Sequence, residues 1–294
     1  MAPPHGGAHR QSRSEVSRDG RREERRQSKL EKEQQEVVER AAPRTPVIYE
    51  VVRTMGEEEM ARPATSLWWS GLAGGLSISF SLFAQGVLQT HLPEAPWAVL
   101  VRDLGYPMGF LMVVLARQQL FTENTITMVL PVMAKPSLAA LASMWRVWGI
   151  ILAANLAGTL LAALFCTFTP VLEPDVREAM LAIAREAMDK AWAAMFFQAI
   201  TAGFLMAAMV WLLPGAESAQ FLVIVAMTYL IAISGAAHIV AGSIESFMLA
   251  LHGELGAGRL VTGFLVPAFL GNVVGGTALF AVISYAQVMK EIEA

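Results

Sequence analysis

The chain has 294 residues, 55% of them apolar and 16% charged, with a mean hydropathy of +0.48. That is more apolar surface than a soluble domain of this length needs to fill a core. A formal net charge of −3 excludes a general nucleic-acid binder, and the single cysteine, Cys166, excludes an internal disulfide. Lipid is the expected solvent and no cofactor is implied.

Residues 1–60 form a polar tail rich in Arg, Glu, Gln and Ser, and the alternating signs between Arg21 and Arg40 fit i,i+4 pairs on an exposed helix. The first apolar run comes only after these sixty or so polar residues and would be an uncleaved span, so the tail reads as mature sequence and not as a cleaved secretory signal. Of the 22 Lys and Arg residues, 12 lie between Arg10 and Arg53, which places the tail in the cytoplasm.

The apolar runs follow in order. The first is Leu67 to Leu88; the second is Leu104 to Leu120, continued by Ile126 to Met133; the third is Ala139 to Phe168. After a charged stretch come Ala191 to Leu213, then Phe221 to Ile233 with a continuation to Leu251, then Leu260 to Ala286. Each is near or above the roughly 20 residues that cross about 30 Å of hydrocarbon, so the fold class is an all-α membrane protein of six spans. Residues 61–288 form the spanning unit and 289–294 a short C-terminus on the same side as the tail. Between spans three and four, Glu173 to Lys190 carries Val176, Met180, Ile183, Ala184 and Met188 at helical spacing, which predicts an amphipathic helix lying at the interface.

The halves read as copies. Span three carries Asn155-Leu-Ala-Gly158 and span six Asn272-Val-Val-Gly275, while spans two and five are the interrupted ones. Three spans per half makes the copy inverted, a plan that puts a transport site near the midplane between discontinuous helices. Small residues at Gly71/Gly75, Gly105/Gly109, Ala154/Gly158 and Gly271/Gly275 let helices approach closely.

The interruptions carry the chemistry. Span two drops Thr122, Glu123, Asn124 and Thr125 into an apolar segment just after Arg117. Span five is broken by Ser234-Gly235-Ala236-Ala237-His238, and His238 is the histidine inside a predicted span. Polar groups at that depth are costly, and free backbone is tolerated there only if buried in protein or lining an aqueous path. Taken singly, Thr122 to Thr125 also fits a loop after a helix ending at Leu120, and His238 a core histidine bonded to a neighbouring helix.

Taken together, Leu120-Phe121-Thr122, Ser234-Gly235-x-x-His238 and Gly271-Asn272-Val-Val-Gly275-Gly276 resemble the signatures of the formate/nitrite transporter family, in matching order from about Ser66 to Ala286. The resemblance implies an aquaporin-like fold and a homopentamer with one pore per protomer. It also implies residence in a bacterial inner membrane and passage of small monovalent weak-acid anions with protons. Carried over by position, Leu120, Phe121 and Phe110 would form a hydrophobic constriction, and Tyr106, Val210 and Ile231 would line the rest of the path. Asn124 would border the same break. His238 would stand between constrictions with Thr122 opposite, and Lys190 falls one position from the family's vestibule lysine.

The chain departs from the pattern at Gln119 and Ala237, where acids are usual, at Gly242, where an Asn is usual, at Ala207 and at Arg117. Arg117 would either attract anions or be neutralised by Glu123 or Glu245. A dry constriction opposes a carboxylate by on the order of 20 kcal/mol of idealised desolvation. Neutralising an acid of pKa about 4 at pH 7 costs roughly 4 kcal/mol. Crossing as the neutral acid is therefore expected, with His238 relaying a proton. The competing expectations are a neutral-solute or ammonia-type channel and an intramembrane hydrolase using Ser243 or Ser246 with His238, the latter without a GxSxG or HExxH motif.

Overall fold

Hydropathy decides which segments become helices and where they stop. In a computed structural model, which describes residues 26–30, 32–33 and 43–292, every apolar run is helical and no strand occurs among the described residues. The chain divides into two units, Met1–Pro43 and Arg44–Ala294. In the first, residues 26–30 and 32–33 are helical, with Lys29 and Glu33 paired at 3.6 Å one turn apart. The rest of the helix expected over Arg21 to Arg40 lies outside the described residues.

The second unit begins at Arg44, earlier than the boundary at 61 that composition predicts, because α1 (Thr45–Ala61) belongs to it. Its apolar face buries Tyr49, Val52 and Gly56, and Tyr49 meets Tyr285 near the C-terminus at 5.9 Å between ring centroids. The apolar helices are α2 (Ala64–His91), α3 (Ala98–Leu115) with α4 (Asn124–Ala134), α5 (Leu138–Phe168), α7 (Trp192–Gly215), α8 (Glu217–Ile233) with α9 (Ala241–Leu251), and α10 (Arg259–Glu291). Five of these helices are long and apolar enough to cross a membrane unaided, and α8 and α9 are each too short. Spans two and five are thus broken where polar residues interrupt them. In α10, π-helical turns cover Arg259–Leu265 just before Pro267, which has no N–H to continue a regular ladder.

The amphipathic helix is α6 (Pro174–Met188). Its apolar face buries Met180, Ile183, Ala184 and Met188 and packs on α2 and α9, so it docks on protein and not on lipid as hydropathy suggests. Gly86 makes room for Met180, whose Cγ lies 2.5 Å from where a Cβ on that glycine would stand.

The two halves are tied in the same way. A Cβ on Gly75 would stand 2.2 Å from the Asn155 carbonyl oxygen, and one on Gly203 2.2 Å from that of Asn272. Without those side chains α2 meets α5, and α7 meets α10, backbone to backbone. Each asparagine then reaches sideways into a break. Asn155 Nδ2 donates to the carbonyls of Gly71 and Gln119 while its Oδ1 accepts from Phe121 N–H. Asn272 Nδ2 donates to the carbonyls of Ala199 and Ala237 while its Oδ1 accepts from Ile239 N–H.

The first half-helices end alike as well. Gln118 N–H bonds to Val113 O at 2.9 Å and Ala236 N–H to Ile231 O at 3.1 Å, with Arg117 and Gly235 between them at φ +52° and +64°. This left-handed helix ending suits glycine, and it strains an arginine by about 1–2 kcal/mol. Arg117→Gly should therefore raise thermal stability by up to about 1 kcal/mol, after the glycine's larger unfolded-state entropy is subtracted. Thermal unfolding of the purified variant checks this, and a lowered midpoint would mean that the exposed arginine makes a compensating contact.

Candidate transport site

His238, in the break between α8 and α9, meets Thr122, in the break between α3 and α4. Its ring is 2% exposed, and both nitrogens are engaged: Nδ1 accepts from Ala241 N–H at 3.0 Å, and Nε2 lies 2.7 Å from Thr122 Oγ1. A backbone amide can only donate, so Nδ1 holds the lone pair, Nε2 carries the proton, and the imidazole donates to the Thr122 hydroxyl. Thr122 accepts that bond and keeps its own hydroxyl proton to offer elsewhere. The pair bridges the two breaks, one residue from each.

Aromatic rings close around it. Phe110 stands edge-on to His238 at 5.1 Å between centroids, and Tyr106 lies 5.1 Å beyond Phe110. Phe121 is fully buried between Trp148, edge-on at 5.6 Å, and Phe269, stacked at 5.4 Å. Leu120 beside it is also fully buried.

On one side of this apolar zone lies a cavity of about 230 Å³. His238, Tyr106, Lys190, Glu245, Arg102 and Glu186 are among the residues that line it. Lys190 Nζ donates to the Gly235 carbonyl at 2.9 Å. Partial burial lowers the pKa of this ammonium from its ordinary value, while the nearby Glu245 and Glu186 carboxylates oppose the shift. Arg102 is matched by Asp103 and Glu186, each at 2.9 Å, and Asp103 also accepts from Gln85. At the rim outside the spans, Arg185 pairs with Glu254 at 2.6 Å, and its hydrogen bond holds that carboxyl below the usual range.

Of the residues singled out in the sequence, Thr122, His238, Phe110 and Tyr106 are in contact in series, and Lys190 shares the cavity with Tyr106 and His238. Val210 and Ile231 are buried on α7 and α8 but are not cavity walls. Asn124 uses its amide locally, donating to Leu120 O at 2.9 Å and Gln119 Oε1 at 3.1 Å, so it fastens the break. The expected neutralisation of Arg117 is not formed: Arg117 is exposed and, among the described residues, pairs with neither Glu123 nor Glu245. The reason is that Glu245 faces the cavity beside Lys190, while Arg117 sits at the strained end of α3. Glu245, Arg102, Trp148 and Phe269 did not stand out as site residues in the sequence. A glutamate amid small and apolar residues on α9 was the available signal for the first of them.

Comparison with known proteins agrees with this architecture. The sequence pattern of the family described as Formate/nitrite transporter matches residues 46–286. The chain is 41% identical over 254 residues to the inner membrane protein YfdC of Escherichia coli (strain K12), covering 86% of this chain and 82% of that one. Among solved structures, an FNT family ion channel superposes with a TM-score of 0.73 at 18% identity, over 82% of this chain and 98% of that one. A pentameric formate channel with formate bound superposes with a TM-score of 0.66 at 19% identity, over 77% and 98% of the respective chains. The chain therefore belongs to the formate/nitrite transporter family, a multi-pass membrane transporter and not an enzyme.

Proposed function

We propose that the chain forms a homopentamer in a bacterial inner membrane, with both termini cytoplasmic, and conducts small monovalent weak-acid anions of the formate or nitrite type through each protomer. The observation that carries this reading is the 2.7 Å bond between Thr122 and His238, which joins the two breaks directly beneath a cavity holding Lys190. Matching asparagine ties in the two halves support an inverted repeat around that point. With a cytoplasmic N-terminus, α2 crosses outward, so the cavity at its far end, beside Gln85, faces away from the cytoplasm.

In this reading Lys190 attracts the anion and the permeant crosses the Phe110 and Phe121 zones as the neutral acid. His238 aids neutralisation indirectly, holding Thr122 so that its hydroxyl donates to the permeant. Flux of formate, nitrite and larger monovalent anions into proteoliposomes across pH tests it. Formate flux should fall roughly 10-fold in His238→Ala, the equivalent of losing one hydrogen bond of about 1.4 kcal/mol. Undiminished flux would remove the histidine from the mechanism, and no anion flux in the unaltered protein would remove the anion reading.

A second reading, a channel for neutral solutes such as ammonia, is favoured by one observation: His238 is held in a neutral tautomer between aromatic rings. Inhibition of flux by competing anions separates the two, since a neutral-solute channel would ignore them.

A further inference from the structure

The cavity holds two charged groups that no ion pair accounts for. Arg102 is matched by Asp103 and Glu186, and Arg259 at the neighbouring rim lies 3.7 Å from Asp189. Among the described residues, Lys190 donates to one neutral carbonyl, and Glu245, 7% exposed, makes no ion pair and no side-chain hydrogen bond. Glu245 lines the cavity together with Lys190 and His238. Its Oε2 lies 3.7 Å from where a Cβ on Gly242 would stand, and Gly242 N–H bonds to the His238 carbonyl at 2.8 Å. The Phe264 ring fills the space that a side chain at Gly242 would take, 2.6 Å from that Cβ position. A carboxyl at this depth with no ion pair or hydrogen bond is costly to charge, and an occupant of the cavity that bonds to it lowers that cost.

His238 cannot supply a proton in this geometry. Its Nδ1 lone pair is taken by Ala241 N–H, and losing the Nε2 proton would leave an imidazolate facing Thr122. The proton that neutralises a weak-acid anion has to come from another group in the cavity.

We propose that Glu245 is the proton donor to the permeant and that Lys190 holds the anion beside it while the proton moves. The inference rests on the weak-acid reading above. An anion drawn to Lys190 accepts the proton of the Glu245 carboxylic acid: the O–H bond on Glu245 breaks, an O–H bond on the permeant forms, and Glu245 is left as a carboxylate in the field of Lys190. The neutral acid passes Phe110 to the Thr122 hydroxyl, and Glu245 takes a proton back from solution through the open side of the cavity. Lys190, Arg102, Asp103, Tyr106, Glu186 and His238 are the titratable or charged groups that share this cavity. From α5 the contact is Thr159, bonded to Ser243, and from α10 it is Phe264, so neither element adds a charge there.

The test uses the full chain in proteoliposomes with the membrane potential clamped, reading formate influx and internal pH together from pH 5 to 8. Unaltered protein should carry one proton inward with each formate. Glu245→Gln should lose on the order of 100-fold of formate influx at pH 7, the lower range for a positioned general acid. At pH 5, where the protonated acid is about 100-fold more abundant than at pH 7, it should recover much of that flux above the level of protein-free liposomes, and recovery above that level also shows that the variant is folded. Glu245→Asp should keep proton-coupled influx at pH 7, at a reduced rate. Glu245→Gln with unaltered flux and proton coupling at pH 7, or Glu245→Asp as inactive as Glu245→Gln at pH 7, would overturn the proposal. Unaltered protein that carries no formate at any pH would instead overturn the weak-acid reading itself.

Discussion

Asn272→Ala is expected to destabilise the spanning unit by at least about 3 kcal/mol and to abolish formate flux. The side chain satisfies three buried backbone groups at once: the carbonyls of Ala199 and Ala237 and the amide of Ile239. Each buried polar group left without a partner costs about 1–3 kcal/mol, and in the interior of a membrane protein no bulk water replaces the loss. Ala237 and Ile239 flank His238, so the same substitution releases the backbone on both sides of the central imidazole. Asn272→Asp should rescue poorly, because it keeps the acceptor for Ile239 and loses both donors. Thermal stability of the purified protein together with proteoliposome flux measures both effects. A variant with unaltered stability would show that the span-five break is held by its own turn and not by α10.

The architecture was largely legible in the sequence because lipid imposes a simple rule on it. A helix that crosses hydrocarbon must be apolar for its full length, so Thr122 to Thr125 and Ser234 to His238 were visible as exceptions without knowledge of their surroundings. Asn155 and Asn272 were visible as a repeated motif, but their work was not, since what they bond lies 34 to 36 and 33 to 73 residues away, apart from the more distant Gly71. Arg117 misled for a different reason. Charge pairing predicted a carboxylate partner, yet the residue's position is set by a helix ending that its neighbours impose at φ +52°, and the side chain is exposed. Glu245 is, with Glu123, one of two candidate counter-ions for Arg117, because sequence cannot tell which face of α9 looks into a cavity. Its neighbours Ser243 and Ser246 turn to α5 and to the helix's own backbone, leaving Glu245 facing Lys190 across the cavity.

Thr122→Val is expected to lower formate flux by roughly 10-fold to 100-fold with little change in fold, whereas Thr122→Ser should retain most of it. Valine matches threonine in shape, so packing around Phe110 and Phe121 is preserved while the hydroxyl is removed. Two bonds are then lost together. The His238 Nε2–H, which donates to Thr122 at 2.7 Å, is left buried without an acceptor, at a cost of about 1–3 kcal/mol. The permeant also loses the hydroxyl proton that would be offered to it among the aromatic rings, which supply no hydrogen bond of comparable strength. These losses act at the same point but separate experimentally. In His238→Ala the hydroxyl remains and only its orientation is freed, so flux should fall less than in Thr122→Val if the hydroxyl is the group that meets the permeant. If His238→Ala falls further, the imidazole itself faces the path and Thr122 serves to orient it. Paired flux measurements on the two variants, at pH 5 and pH 7, decide which residue stands at the centre of the pore.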